Sequence, residues 1–320
     1  MDKNQEKQAK EYQKIRQKLT LFNLVWTPAL LWLVIGTGIS VKLYEMSASV
    51  SNPYGILTIY FLFFSLVLLV FDLPLSYYSG FALEHRFHLS NQTLGAWIKE
   101  TLKKSVLSFL LSLLLLLALY ALIWNSRTHW WLYAWVAYAG VSYVMGKLFP
   151  VFIVPIFYKY GPVENASLKE RILGMAKKHG MPVENVYSLN LSKTTKKANA
   201  AFMGLGKTKR VVLSDTLLSN FSSEEIETVV AHELGHFKHK DIWKQLGFGL
   251  ISSLAAFWIA YRCMPSFSAS LGFSGVEDIR SLPLLFLIFY FFSLILMPLQ
   301  NGFSRWMERL ADLFSLEAYP

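Results

Sequence analysis

Cysteine is almost absent. A single one, Cys263, occurs in 320 residues, which excludes a disulfide framework, an iron–sulfur cluster and a cysteine-built zinc finger. Any metal bound here has to be held by His, Asp or Glu. Charge is scarce as well. Asp, Glu, Lys and Arg make up 16% of the chain and hydrophobic residues 54%, where ordinary soluble domains carry about 25% charged residues. That balance excludes a disordered, fibrous or ordinary soluble chain. Internal repeats are missing, and so are low-complexity tracts beyond leucine runs. A cleavable signal sequence is missing too: the first apolar run is too long for a signal h-region and no A-x-A-like site follows it. That run is expected to stay as a membrane anchor.

What is present is a set of long apolar stretches. A membrane helix needs about 20 mostly apolar residues, and six stretches qualify: Leu19–Val41, Ile56–Tyr77, Ser105–Asn125, Trp130–Phe157, Gln245–Tyr261 and Ser281–Gln300. The fifth is short, and a buried core helix is its alternative reading. Basic residues orient the spans. Six of them (Lys3, Lys7, Lys10, Lys14, Arg16 and Lys18) precede the first span, and Arg86, Lys99, Lys103 and Lys104 follow the second. Fourteen lie in 158–244, and Arg305 and Arg309 follow the sixth span. Lys and Arg therefore concentrate on alternate loops, as six spans with both ends cytoplasmic require. The net charge of +10 is read as topological, with no nucleic-acid partner. Asp72 and Lys147 lie within spans and either face a polar interior or each other, or sit near the span ends where headgroup water satisfies them. The Trp and Tyr residues of 130–143 suit an interfacial belt.

Residues 158–244 form the one long polar segment and read as a small α+β unit. Glu164–Gly180 has Leu168, Ile172, Leu173 and Ala176 at helical spacing, with Gly180 as a C-terminal cap. Val186–Leu191, Ala200–Leu205 and Arg210–Leu213 read as short strands, with a turn over Gly204–Lys207. Ser222-Ser223-Glu224-Glu225 is a capping box that opens a second helix with Ile226, Val229, Val230 and Leu234 on its apolar side. Asn91-Gln92-Thr93 and Asn165-Ala166-Ser167 match glycosylation sequons but fall on the cytoplasmic side, so they are read as chance.

That second helix carries His232-Glu233-Leu234-Gly235-His236. Residues four apart share a helix face, so His232 and His236 can bind one zinc ion. Glu233 beside them can take a proton from a water that the metal acidifies. A catalytic zinc usually keeps three protein ligands and one open position. His239 lies seven residues from His232, about 10 Å along the axis, too far for one straight helix to wrap around one ion. Glu308, in Ser304-Arg305-Trp306-Met307-Glu308-Arg309-Leu310-Ala311-Asp312, follows the sixth span and returns to the same side of the membrane. Asp312, one turn on, can hydrogen-bond a ligand imidazole from outside. The alternative is a solvated helix end with Glu308, Asp312, Arg305 and Arg309 as surface charges, and spacing alone leaves both readings open.

HELGH at 232–236 followed by SRWMERLAD at 304–312 resembles the M48 metallopeptidases, and more closely their Ste24 branch, the CAAX prenyl proteases. The likeness extends to Phe149-Pro150 through Pro155 into Phe157-Tyr158-Lys159-Tyr160, and to Ala198-Asn199-Ala200 with Gly204. It also includes Leu213-Ser214-Asp215-Thr216-Leu217-Leu218, and Glu84 and Phe87 with Asn91-Gln92-Thr93, so that it covers roughly residues 60–315. It implies one Zn2+ per chain bound by His232, His236 and Glu308, with Glu233 as general base and Asp312 outside the ligands. It makes the strand at Asn199 and Ala200 the edge that pairs with substrate backbone. It further implies helices around an intramembrane chamber, and a peptide or protein substrate with a prenylated C-terminus from which three residues are removed. Family members continue past the third-ligand helix. This chain stops at Pro320 and is expected to be truncated there.

Together these readings give a mostly α-helical integral membrane protein with about six transmembrane helices and a small cytoplasmic α+β zinc-protease insert. Residues 1–157 form a four-helix membrane region, 158–244 the metallopeptidase insert, 245–300 two further spans and 301–320 the third-ligand helix. The expected location is a bacterial inner membrane or an endoplasmic reticulum membrane, with the zinc site on the cytoplasmic side. A membrane quality-control protease of the HtpX type is the nearest alternative, but that relative has fewer spans before its zinc helix. A site-2-type protease fits less well, because its HExxH lies within a span. A non-catalytic sensor or scaffold with a structural zinc site would have no need of Glu233.

Overall fold

The computed structural model describes residues 3–181, 183, 185–203 and 210–318. In chain order the helices and strands are α1 (Lys3–Gly36), α2 (Ile39–Ser47), α3 (Pro53–Tyr77), α4 (Leu83–Arg86), α5 (Leu94–Asn125), α6 (Trp130–Leu148), α7 (Val154–Phe157), β1 (Tyr160–Pro162), α8 (Ala166–Lys178), β2 (Val186–Leu189), β3 (Ala200–Met203), β4 (Arg210–Ser214), α9 (Asp215–Asn220), α10 (Ser223–Lys238), α11 (Asp241–Ser270) and α12 (Leu282–Ala318). Single π turns join α3 to α4 and α6 to α7, so each of these pairs continues as one helical stretch. The turn expected over 204–207 lies outside the described residues.

Among the described residues six helical stretches are long and apolar enough to cross a membrane: Glu6–Gly36, Pro53–Arg86, Leu94–Asn125, Trp130–Phe157, Asp241–Ser270 and Ile279–Ala318. A helix satisfies its own backbone hydrogen bonds, which is what hydrocarbon demands. Two of these starts are capped by the side chain just before them. The Asn52 side chain accepts the Tyr54 N–H at 2.8 Å ahead of Pro53, and Thr93 Oγ1 accepts the Ala96 N–H at 3.2 Å. The fifth stretch is 30 residues long, and only 6% of its apolar window is buried within the protein. A core helix would be covered, so the spanning reading holds. The sixth stretch runs on without a break into the segment that carries Glu308.

The chain groups into two units. The first comprises Met1–His88, Thr93–Val136 and Ser253–Ile295. Its core holds Leu57, Tyr60, Phe64, Tyr120, Trp130 and Leu285, each 1% exposed or less. Within it Asp72 accepts the Trp26 indole N–H at 2.9 Å and borders a cavity of about 390 Å3 with Thr27, Leu68 and Tyr290.

The second unit comprises Leu89–Gln92, Ala137–Ser252 and Leu296–Pro320 and holds the sheet, in the order β1-β2-β4-β3. β1 and β3 are antiparallel to their neighbours, whereas β2 and β4 run parallel. The sequence pattern gave three strands but not β1, which is only three residues long and has no alternation to read. Leu168 and Ile172 of α8, Leu213 of β4 and Ile226, Val230, Ala231 and Leu234 of α10 are almost wholly buried and form one core. Fully burying one such side chain is worth about 1.5–3 kcal/mol. On α10 the buried positions 226, 227, 230, 231, 234 and 235 follow the helical period and leave the face with His232, Glu233 and His236 free. Glu227 is buried on the core side and takes Arg171 Nε of α8 at 2.9 Å, a paired charge where an unpaired one would be costly.

Several singled-out polar residues hold chain to chain. Asn165 caps α8 by accepting the Leu168 N–H at 3.0 Å. Asn91 Nδ2 donates to Ser192 O at 2.8 Å, beside the Ser90–Thr195 bridge. Lys147 lies over the Tyr143 ring, 4.7 Å from its centroid.

Candidate metal centre

The site grows from the start of α10. Ser222 Oγ accepts the Glu225 N–H at 3.3 Å and the Glu225 carboxylate accepts the Ser222 N–H at 2.8 Å, which is the reciprocal cap the sequence pattern implies. From that fixed start, two turns of helix bring His232 and His236 to one face. Their Nε2 atoms lie 3.2 Å apart.

Glu308 of α12 meets them. Its Oε2 is 3.3 Å from His232 Nε2 and 3.6 Å from His236 Nε2. Among the described residues these three are the one His, Cys, Asp and Glu group whose ligand atoms gather closely enough to hold a metal. Asp312, one turn beyond Glu308, lies with Oδ1 2.9 Å from His232 Nδ1. Asp241 Oδ2 stands in the same relation to His236 Nδ1, at 2.9 Å. An ionised carboxylate only accepts hydrogen bonds, so both Nδ1 atoms are the donors. A neutral imidazole then has its lone pair on Nε2. With both rings neutral, two imidazole lone pairs and a carboxylate oxygen converge on one point. Such a donor set repels itself unless a cation sits among the three, and its residue types are those of a metal site.

The close approach of α10 and α12 depends on Gly235. A Cβ there would stand 2.8 Å from Ala311 Cα and 3.0 Å from Ala311 O. Gly235 lies between the two histidines and Ala311 between Glu308 and Asp312, so this tight approach of the two helices sits at the centre of the candidate donor group. An isolated glycine inside a helix costs about 1 kcal/mol relative to alanine, and here its missing Cβ is what admits Ala311.

Glu233 is half-buried beside the pair. Burial lifts its carboxyl above the usual carboxylate range, against the opposing pull of the His236 and His232 rings and of the Phe202 N–H that it accepts. A carboxyl shifted upward is better matched to taking and returning a proton near neutral pH. Phe202 belongs to β3, an outer strand of the sheet. Ser214 N–H donates to Asn199 O at 2.9 Å, and the Asn199 N–H donates to Ser214 Oγ at 2.9 Å. Backbone polarity alternates along a strand, so Ala201 and Met203 also face β4, while Ala200 and Phe202 turn their N–H and C=O groups to the open side. Of the two residues expected at the edge, Ala200 therefore turns its backbone away from β4 and Asn199 has its own engaged with Ser214.

His239 stays outside the ligand group. It ends α10, with its N–H on Gly235 O and its ring 6.4 Å from that of Phe314. Sequence reasoning missed Asp241, the Phe202 N–H and the Gly235–Ala311 approach. Of these, only the mid-helix glycine left a readable signal.

Two family models divide the chain between them. One, described as CAAX prenyl protease N-terminal, five membrane helices, matches residues 1–159, and the other, Peptidase family M48, matches residues 162–320. A Bacillus subtilis relative, the uncharacterized metalloprotease YhfN, is 31% identical over 316 residues, covering 97% of this chain and 74% of its own length. The chain belongs to peptidase family M48. Members of this family are metal-dependent peptidases. CAAX prenyl protease 1 of Saccharomyces cerevisiae is 31% identical over 264 residues, which cover 78% of this chain and 58% of the yeast protein. The crystal structure of Ste24p from S. mikatae superposes with a TM-score of 0.86 at 25% identity, over 99% of this chain and 79% of that one. The likeness is thus to the Ste24 type of M48 peptidase, and it extends through both the membrane helices and the sheet-bearing unit. Within residues 1–159 this chain has four helices of spanning length and apolarity, with the short α2 between the first two.

Proposed function

We propose that this chain is a membrane-embedded zinc endopeptidase in which His232, His236 and Glu308 hold the metal and Glu233 is the general base. The observation that carries this is the spacing of the three donor atoms. Zinc bonds of about 2.0–2.1 Å at tetrahedral angles put neighbouring donors about 3.3 Å apart, and the separations here are 3.2, 3.3 and 3.6 Å. Bound zinc supplies Lewis acidity, polarising a carbonyl and acidifying water.

The remaining work belongs to the chain. Substrate backbone adds to the open side of β3 as an extra strand, pairing with Ala200 and laying its scissile bond along α10. Glu233 accepts the proton of the attacking water and passes it to the leaving amine. The Phe202 N–H keeps that carboxylate aimed along the strand. Asp312 holds the His232 ring in the tautomer that presents Nε2. In this reading residues 158–244 and 301–320 form the catalytic part, and 1–157 and 245–300 the membrane part.

The yeast relative's name supplies the substrate class that we extend to this chain: proteins with a prenylated C-terminus. The N-terminal family model supports it, and the excess of Lys and Arg on alternate loops supports a cytoplasmic site. The test uses the purified chain in detergent with Glu233→Gln and His232→Ala. We expect Glu233→Gln to keep near one zinc per chain and lose peptide hydrolysis, and His232→Ala to lose both. Full activity in Glu233→Gln would overturn the mechanism. Equal cleavage of a prenylated peptide and its unprenylated counterpart would overturn the substrate class alone.

A further inference from the structure

The two carboxylates that reach the ligand histidines are not equivalent. Asp312 has a side chain 68% exposed, and that of Asp241 is 2% exposed. Water competes for and screens the first but not the second. Asp241 is also fixed at both oxygens: Oδ2 takes His236 Nδ1 at 2.9 Å, and Oδ1 takes Lys244 Nζ at 2.9 Å. The Asp241 carboxylate cannot rotate without breaking one of two partly buried bonds, and the one from Lys244 is charge-assisted, the strong class of hydrogen bond.

Lys244 reaches further. Its Nζ lies 4.6 Å from the centroid of the Trp306 ring, two residues before Glu308 on α12. Trp306 in turn stacks on Phe303, and Phe303 on Phe248 of α11. The backbone that makes this possible is unusual. Lys240 has φ 58°, a left-handed conformation that few non-glycine residues take. It reverses the chain between α10 and α11 so that Asp241, five residues past His236, comes back to that ring.

We propose that Asp241, Lys244 and Trp306 form a brace that positions the metal site: Asp241 sets the His236 ring, and Lys244 locks Asp241 while tying it to the helix that carries Glu308. Asp241 is a positioning residue, since it touches no substrate and no reacting atom. The brace rests on the reading of His232, His236 and Glu308 as metal ligands. It goes beyond that reading by assigning unequal weights to the two outer carboxylates and a role to a lysine and a tryptophan outside the ligand motif. Outer hydrogen-bond partners of ligand histidines are generally worth 10–100-fold in metal affinity, and the buried, doubly held one should stand at the upper end.

The test measures the zinc dissociation constant by chelator competition on the purified full chain, together with the melting midpoint of the metal-free protein. Asp241→Asn should weaken zinc binding by about 10–100-fold and Asp312→Asn by clearly less. Lys244→Met should weaken it several-fold, and Lys244→Arg, which keeps the charge and the approach to the ring, should restore it. A merely structural Asp241 would lower the metal-free midpoint and leave affinity unchanged. Asp241→Asn losing no more affinity than Asp312→Asn would overturn the proposal. If Asp241→Asn fails to fold, Lys244→Met binding zinc as tightly as wild type would overturn it instead. His236→Ala separates the two readings: unchanged zinc affinity there would refute the ligand assignment itself, whereas loss there with unchanged Asp241 and Lys244 variants would refute the brace alone.

Discussion

Gly235→Ala is a sharp perturbation of the candidate site, because it adds one methyl group at a tight approach of α10 and α12. The new Cβ would stand 2.8 Å from Ala311 Cα, 3.0 Å from Ala311 O and 3.2 Å from Ala311 Cβ. Ordinary carbon–carbon separation is about 3.5–4.0 Å, so the helices must part by about 0.7 Å or more. Both walls are backbone and Ala311 is wholly buried, so no side chain can swing aside. Helix propensity works the other way: Gly→Ala inside a helix gains about 0.8–1.0 kcal/mol. Overpacking costs about 1–3 kcal/mol, and a backbone clash belongs at the upper end. The net expectation is a loss of about 1–2 kcal/mol in the metal-free protein, by subtraction of those terms. Metal binding should suffer more. Retreat of α12 carries Glu308 away from the histidines by several times the roughly 0.2 Å tolerance of a metal–ligand distance. A tenfold or greater rise in the zinc dissociation constant follows, about 1.4 kcal/mol. Chelator competition and a thermal melt by circular dichroism measure the two effects. Adding Ala311→Gly should rescue only in part, since it removes the Ala311 methyl group but leaves the backbone carbon 2.8 Å away in place. If Gly235→Ala bound zinc as wild type does and melted no lower without metal, glycine would not be setting the helix spacing, and the geometric argument would fail.

Other outcomes are open to equally direct measurement. Glu308→Ala should reduce zinc content sharply in metal analysis, because it removes the one donor that comes from outside α10. Ala200→Pro deletes an N–H on the open side of β3, where proline is tolerated. It should leave zinc content unchanged and raise KM for peptide by about 2–10-fold, the worth of one hydrogen bond. Ser222→Ala removes the cap of the histidine helix and should lower stability by about 0.5–2 kcal/mol, read from denaturant titration. Leu234→Ala empties the core directly behind the ligand face and should cost about 2–5 kcal/mol in the same titration.

The large features of the fold were legible because they depend on local pattern. Uninterrupted apolar length marks a span wherever it occurs, so all six stretches stand as long apolar helices, and the fifth proves longer than its uncharged run. The capping box at Ser222 and the four-residue spacing of the histidines are equally local. The sheet was read less completely. β1 is three residues long, and its pairing with β2 depends on partners nearly thirty residues away. The parallel pairing of β2 with β4 is a long-range association that no period encodes. The boundary of α12 was misplaced for a different reason: apolarity ends near Gln300, whereas the helix does not. Composition therefore marked a span followed by a separate ligand segment, where the backbone makes one helix through Ala318.

The candidate metal site shows the same division more sharply. A helix enforces i,i+4 proximity, so His232 and His236 announce themselves. Glu308 could be set beside the histidines rather than read as a surface charge only through resemblance, since about seventy residues and two apolar spanning stretches separate it from His236. Asp241 is the instructive case. At five residues past His236 it lies off the shared face of any continuous helix, and a periodic reading places it pointing away. Only the left-handed Lys240 turns it back, and lysine is not a residue whose identity signals that conformation. The ligands of a site can be read from spacing because secondary structure fixes them. The groups that hold those ligands are recruited from wherever the chain reverses, and they become visible only when the turn itself is seen.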